Sequence, residues 1–296
     1  MEFYSDRFTG ELAALAAAAL WAISSAIYSL LGQKIPPLSL NFLKGLVAIA
    51  LLGFTLGLSQ QSLGNVDKIS VFILLTSGAI GIGIGDTAYF AALNRLGPRK
   101  TLLLETLAPP ISAILAMVFL DESLKIQAYC GILLTILGVA WVISERTIET
   151  GDRSNWRAGI FWGLVAATSQ ASGAVLSRHA LLESGMSSLW STLFRLLAGT
   201  GIVFAIMAFR HRETVSIAWS PRLIGIIVLT AFGSTYLGIW LQQTALKFSP
   251  VGIAQTLTST SPLFVLPIAA MMGDRIGVRS ILGVAIALAG IWLLFR

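Results

Sequence analysis

The chain has 296 residues, 56% of them hydrophobic and only 11% charged, with a mean hydropathy of +0.83. A soluble domain carries roughly 25% charged residues, so a soluble core is excluded and an all-α polytopic membrane protein is expected. The net charge of +6 sits in short loops between apolar stretches, where a topology signal explains it better than a nucleic-acid partner.

Met1 to Gly10 is polar and the run after it is long enough to remain in the bilayer, so no cleaved leader is expected. The first span, about 11–31, carries Trp21, Ser24, Ser25 and Tyr28. The second, about 38–59, holds Lys44 near its start. The third, about 69–94, contains Gly83-Ile84-Gly85-Asp86-Thr87 and then Tyr89. Glycines there allow another backbone to approach, so Asp86 can cap or bridge helices or serve in coupling.

The fourth span, about 101–120, places Glu105 and Thr106 just ahead of Pro109 and Pro110. These prolines lack the helix donor and free the carbonyls of Glu105 and Thr106, which makes them candidate hinges. Bare carbonyls at membrane depth are tolerated where they face protein or a wet cavity. The fifth span, about 125–144, is almost wholly apolar and contains the single cysteine, Cys130, so no disulfide can form within the chain.

A polar linker from Glu145 to Arg157 separates two halves. Spans six to eight follow at about 157–178, 187–209 and 222–247. They bring Ser169 and Gln170, then Arg195, then Ser234, Thr235, Tyr236, Gln242 and Gln243. The ninth, about 252–272, runs Gln255 to Ser261 through a polar stretch into Pro262, a third hinge candidate, which frees the carbonyl of Thr258. The tenth, about 277–295, resembles the fifth, and Gly131, Gly138, Gly283, Ala287 and Gly290 give the two small-residue packing faces.

The halves repeat one another. Pro110, the turn Asp121-Glu122-Ser123-Leu124, Gly131 and Gly138 match Pro262, Gly273-Asp274-Arg275-Ile276, Gly283 and Gly290, each offset by 152 positions. Gly85 pairs with Gly238 at 153, and Lys44 with Arg195 at 151. Glu105 has no acidic counterpart, since at offset 152 it faces Leu257. Five spans per copy is an odd number, so the expected architecture is two inverted five-helix repeats over 11–144 and 157–295, with a site near the midplane between them.

Intramembrane charges are expensive and carry a functional hypothesis by default. Glu105 has three readings: a proton-coupling carboxylate, a partner for a substrate cation, or a static ion pair with Lys44 or Arg195. Lys44 and Arg195 can snorkel to the interface or contact a substrate carboxylate or phosphate. Counting Lys and Arg by loop gives twelve on one side and six on the other, which puts both termini outside. No Gly-rich phosphate loop and no His-Glu-x-x-His occurs, and His179 and His211 are expected in polar loops far from Cys130, so neither an enzyme nor a metal or other cofactor is expected.

These features resemble the EamA family of the drug/metabolite transporter superfamily. The carriers are Gly85-Asp86-Thr87-Ala88-Tyr89-Phe90-Ala91-Ala92-Leu93, Pro110, and Asp121-Glu122-Ser123-Leu124 with Gly131 and Gly138. The second copy keeps Pro262, Gly283 and Gly290 but departs at Gly273-Asp274-Arg275-Ile276. The resemblance implies a ten-helix secondary carrier with a cavity lined by spans 1, 3, 4, 6, 8 and 9. It also implies export of amino acids and other metabolites, and both termini in the cytoplasm, opposite to the charge count.

The expectation is therefore a small-metabolite exporter in the plasma (inner) membrane, partnered by lipid and a small molecule. Sugar-phosphate or cationic-drug transport and a non-transporting sensor are the alternatives. The expected cavity comprises Trp21, Ser24, Tyr89, Glu105, Thr106, Ser169, Tyr236, Gln255 and Ser259, with Asp86 as a second coupling candidate.

Overall fold

The computed structural model describes residues 2–59, 61–63, 66–119, 126–143, 153–209, 219–249, 251–271 and 277–294. The two acidic turns of the repeat pattern, at 121–124 and 273–276, lie outside the described residues.

In the first half, α1 (Glu2–Leu31) and α2 (Pro37–Ser59) precede α3 (Lys68–Gly78). That helix passes through a π-helical stretch, Ala79–Asp86, into α4 (Thr87–Glu105), followed by α5 (Ala108–Phe119) and α6 (Ile126–Ile143). In the second half, α7 (Arg153–Ser184) and α8 (Ser188–Phe209) precede α9 (Pro221–Ala231). A second π-helical stretch, Phe232–Leu237, leads into α10 (Gly238–Phe248), followed by α11 (Val251–Thr258), α12 (Ser261–Met271) and α13 (Val278–Leu294).

No strand occurs among the described residues. Among the described residues seven helical stretches are long and apolar enough to cross a membrane, and Tyr129–Trp141 and Val278–Leu293 are shorter apolar helices. The chain is an integral membrane protein.

Local chemistry sets the boundaries. Pro37 opens α2 where a missing N–H has no consequence. At α9, Ser220 caps the helix by accepting from the Leu223 amide at 3.2 Å, with Pro221 in the first turn. The turn expected between spans three and four contracts to Gly97, whose φ of 75° breaks α4 internally just ahead of Pro98. Only glycine takes that conformation without strain.

The halves interlock rather than sit side by side. First-half α1 packs on second-half α10, second-half α7 packs on first-half α4, α2 packs on α8, and the most extensive pairing joins α6 to α13. The irregularities also recur. The π-helical stretches begin at Ala79 and Phe232, and α4 and α11 end at Glu105 and Thr258, each 153 positions apart. Asn94 donates to the Gly32 carbonyl at 3.0 Å, and Lys247, 153 positions on, donates to the Gly185 carbonyl, 153 positions beyond Gly32, at 3.4 Å.

By helix ends the position matching Glu105 is Thr258, one residue beyond the Leu257 given by the 152 offset, and neither is acidic. The offset of 152 holds at Pro110 and Pro262, beyond the broken turn, and becomes 153 before it.

Candidate functional site

A polar cavity of about 110 Å³ lies where the two halves meet. Its walls come from α1, α2, α4, α7, α8, α10, α11 and both π-helical stretches, with the first turns of α5 and α12 at the broken helices.

The first π-helical stretch, Ala-Ile-Gly-Ile-Gly-Ile-Gly-Asp, aims Asp86 at this space. A π turn offsets backbone pairing, and side chains take up the exposed groups. Asn41 donates to the Ile82 carbonyl and to Thr87 Oγ1, both at 2.9 Å, while Thr87 Oγ1 donates to the Gly83 carbonyl at 2.7 Å. Asp86 forms an ion pair with Lys44 Nζ, which also lies 5.2 Å from the centre of the Phe90 ring. The Lys44 side chain is 6% exposed and that of Asp86 27%, so the lysine is the sealed member and the carboxylate the cavity-facing one.

The second π-helical stretch is treated likewise. Trp21 Nε1 donates to the Ser234 carbonyl at 2.9 Å, and Tyr28 Oη shares a 2.9 Å hydrogen bond with Ser234 Oγ. Gly238 is needed here, because a Cβ on it would stand 2.6 Å from Trp21 Nε1.

Arg195 is the largest fully buried side chain, at 1% exposure, yet it reaches the cavity wall. Its guanidinium passes two glycines: a Cβ on Gly81 would lie 3.0 Å from Nη2, and one on Gly173 3.4 Å. Among the described residues nothing accepts a hydrogen bond from its Nε or Nη1.

Glu105 closes α4 at the break and faces the cavity. Across from it, Gln255 donates to Ser112 Oγ at 3.2 Å. The carbonyl of Thr258, freed by Pro262, is taken by Ser261 Oγ at 2.9 Å. The Thr258 hydroxyl bonds back to the Ala254 carbonyl at 3.0 Å, and that of Thr260 to Leu257 at 2.6 Å. Much of the polarity of this segment thus stabilises its own broken helix.

Of the expected cavity residues, Trp21, Ser24, Tyr89, Glu105, Gln255 and Ser259 line the space. So do Asp86, Lys44, Arg195 and Pro262. Thr106, Ser169 and Tyr236 do not. The Thr106 hydroxyl is fully buried and donates to the Leu103 carbonyl at 2.7 Å. Ser169 backs the glycine at 85, where a Cβ would approach it to 3.0 Å. Tyr236 shares a 2.7 Å hydrogen bond with Thr55 Oγ1 and stacks on Phe232, on the α2 side of the helix. Pro109 and Pro110 lie behind the wall in the first turn of α5 and fit the break at Thr106–Leu107.

Three further expectations are corrected. Lys44 pairs with Asp86, so the static pair between Glu105 and Lys44 is absent, and no hydrogen bond or ion pair joins Glu105 to Arg195. Neither basic residue snorkels, because both are buried and turned inward. The cavity also takes its cations from the second and seventh spans, which the family resemblance did not place in its lining.

Asn41 was missed. An amide one turn before Lys44 in the mostly apolar α2 was the available signal.

Apolar helices around a polar cavity, fed from both halves and bounded by broken helices, define a membrane transporter. The chain belongs to the EamA-like transporter family, whose family model matches residues 8–144 and again 157–296, within the drug/metabolite transporter superfamily. It is 27% identical over 287 residues to an uncharacterized transporter from Archaeoglobus fulgidus, covering 96% of each chain. It is 24% identical over 257 residues to the uncharacterized transporter YyaM of Bacillus subtilis, covering 83% of this chain and 78% of YyaM. A crystal structure at 16% identity shares the fold with a TM-score of 0.71, over 96% of this chain and 95% of the other.

Proposed function

We propose that this transporter exports small organic metabolites, amino acids among them, by alternating access between two inverted five-helix repeats spanning 11–144 and 157–295. The observation that carries this reading is the cavity itself. It is built from both halves at the two places where paired helices break, and the breaks lie 153 positions apart. Rocking one half against the other around such a site exposes it to each side in turn. Trp21, Tyr89 and the neutral hydrogen-bonding groups of α1 and α10 suit an amphipathic solute better than a bare inorganic ion.

Glu105 is the proposed coupling group, because a carboxylate in the cavity wall can hold either a proton or a substrate cation. Asp86, already joined to Lys44, is the weaker candidate. An anionic substrate such as a sugar phosphate is the second reading, favoured by Arg195 facing the cavity.

The test is counterflow in proteoliposomes containing the purified full-length protein. Vesicles loaded with an unlabelled amino acid are expected to accumulate the labelled one, and empty vesicles are not. Equal uptake by loaded and empty vesicles across the amino-acid, sugar-phosphate and cationic-dye panels would remove the transport reading.

A further inference from the structure

Four charged side chains line the cavity: Lys44, Asp86, Glu105 and Arg195. Two of them cancel, because Lys44 and Asp86 form an ion pair. That leaves one cation and one anion. Asp86 exerts a Coulombic pull on Arg195, but its bonded oxygen is committed to Lys44. Nothing among the described residues takes the Arg195 Nε or Nη1 protons. Glu105 has no hydrogen-bond or salt-bridge partner among the described residues either.

A buried guanidinium without an acceptor is costly to keep, and a planar fork is matched by a carboxylate. Gly81 and Gly173 maintain the slot beside Nη2, so the position is built for the arginine rather than filled by it incidentally.

We propose that the cavity is built for a zwitterion, its carboxylate held by Arg195 and its ammonium by Glu105. This rests on the cavity being the substrate site. A phosphate dianion asks for two free cations, and Lys44 is spent on Asp86. A cationic drug would satisfy Glu105 but leave Arg195 unanswered. A zwitterion answers both at once. The neutral wall of Trp21, Tyr28 and Gln242 lies with them around the same space.

The experiment is a thermal-shift titration of the full-length protein in detergent. The probes are the common L-amino acids, then the amide and the N-acetyl derivative of the strongest binder, with sn-glycerol 3-phosphate and ethidium alongside. Ligands that bind the folded state raise its melting temperature. An L-amino acid is expected to do so, and removing either charge from it should weaken apparent affinity by roughly 30-fold or more. Arg195→Gln should erase the preference for acid over amide. Glu105→Gln should erase the preference for free amine over N-acetyl.

Should Arg195→Gln fail to fold, Arg195→Lys keeps the charge but loses the planar fork and should weaken the preference for acid over amide, and the analogue series needs no variant. The proposal is overturned if the amide binds as tightly as the acid, if the phosphate ester or dye binds while no amino acid does, or if nothing binds. Binding with the expected charge dependence but no flux in proteoliposomes would sink the transport reading and leave the zwitterion site standing.

Discussion

Thr135 and Ala287 are 152 positions apart and touch, the threonine Oγ1 lying 3.4 Å from the alanine carbonyl oxygen it donates to. Their neighbours exchange in the same way. A Cβ on Gly138 would stand 2.6 Å from the Ala287 amide and 2.8 Å from the Gly283 carbonyl, and one on Gly290 would stand 2.5 Å from the Thr135 amide and 2.7 Å from the Gly131 carbonyl. Thr135 meets its own counterpart 152 positions on, and Gly138 and Gly290 meet the counterparts of each other's neighbours. The two helices therefore meet through matching small residues, with no bulky side chain between their backbones.

Gly138→Ala and Gly290→Ala are therefore expected to destabilise the protein by similar amounts, about 1–3 kcal/mol, because each drives a methyl into facing backbone. Melting temperatures of the two variants in detergent check this. A large loss at one position with none at the other contradicts the shared geometry.

The ion pair of α2 with the π-helical stretch makes a second prediction. Lys44→Met or Asp86→Asn alone leaves a partner charge unanswered inside the protein and should cost roughly 3 kcal/mol. The double variant Lys44→Met/Asp86→Asn should recover much of the loss. A thermal double-mutant cycle measures the coupling, and strict additivity would mean that the pair carries none.

Gly238 and Trp21 supply the third. Gly238→Ala pushes a methyl into the indole and removes its hydrogen bond to the Ser234 carbonyl, worth about 1 kcal/mol. The expected outcome is a roughly five-fold rise in KM for flux together with a fall of roughly 2 °C or more in melting temperature. Trp21→Phe should reproduce it, and a Gly238→Ala variant with wild-type KM would remove Trp21 from the binding wall.

A fourth concerns coupling. Flux through the wild type should respond to an imposed pH gradient, and Glu105→Gln, which keeps shape but cannot bind or release a proton, should flatten that response while the protein remains folded. The same pH response in both proteins would release Glu105 from coupling.

The helical plan was legible because its causes are local. Apolar runs, Pro37, Pro221 and the Gly97-Pro98 pair mark segments and turns directly in the chain. The cavity was legible only in part. Trp21, Glu105 and Gln255 stood out as polar groups in apolar helices. Tyr236 was misplaced because it lies inside the π-helical stretch Phe232–Leu237, where its hydroxyl meets Thr55 of α2 instead of the cavity, and nothing local in the chain marks such a stretch. Lys44 and Arg195 looked like interfacial residues because what holds them inward lies far away in sequence: Asp86 for one, and the glycines at 81 and 173 for the other.

The matched helix ends have one more consequence. Where the first half brings Asp86 and Glu105 to the cavity, the second half brings Ile239 and Thr258, each 153 positions on. The cations, Lys44 and Arg195, are present in both. The two halves, each matched by the same family model, share these bends and differ in their acids. The cavity wall therefore takes both of its acids from the first half and one cation from each, an imbalance of charge that the matched backbone breaks do not share.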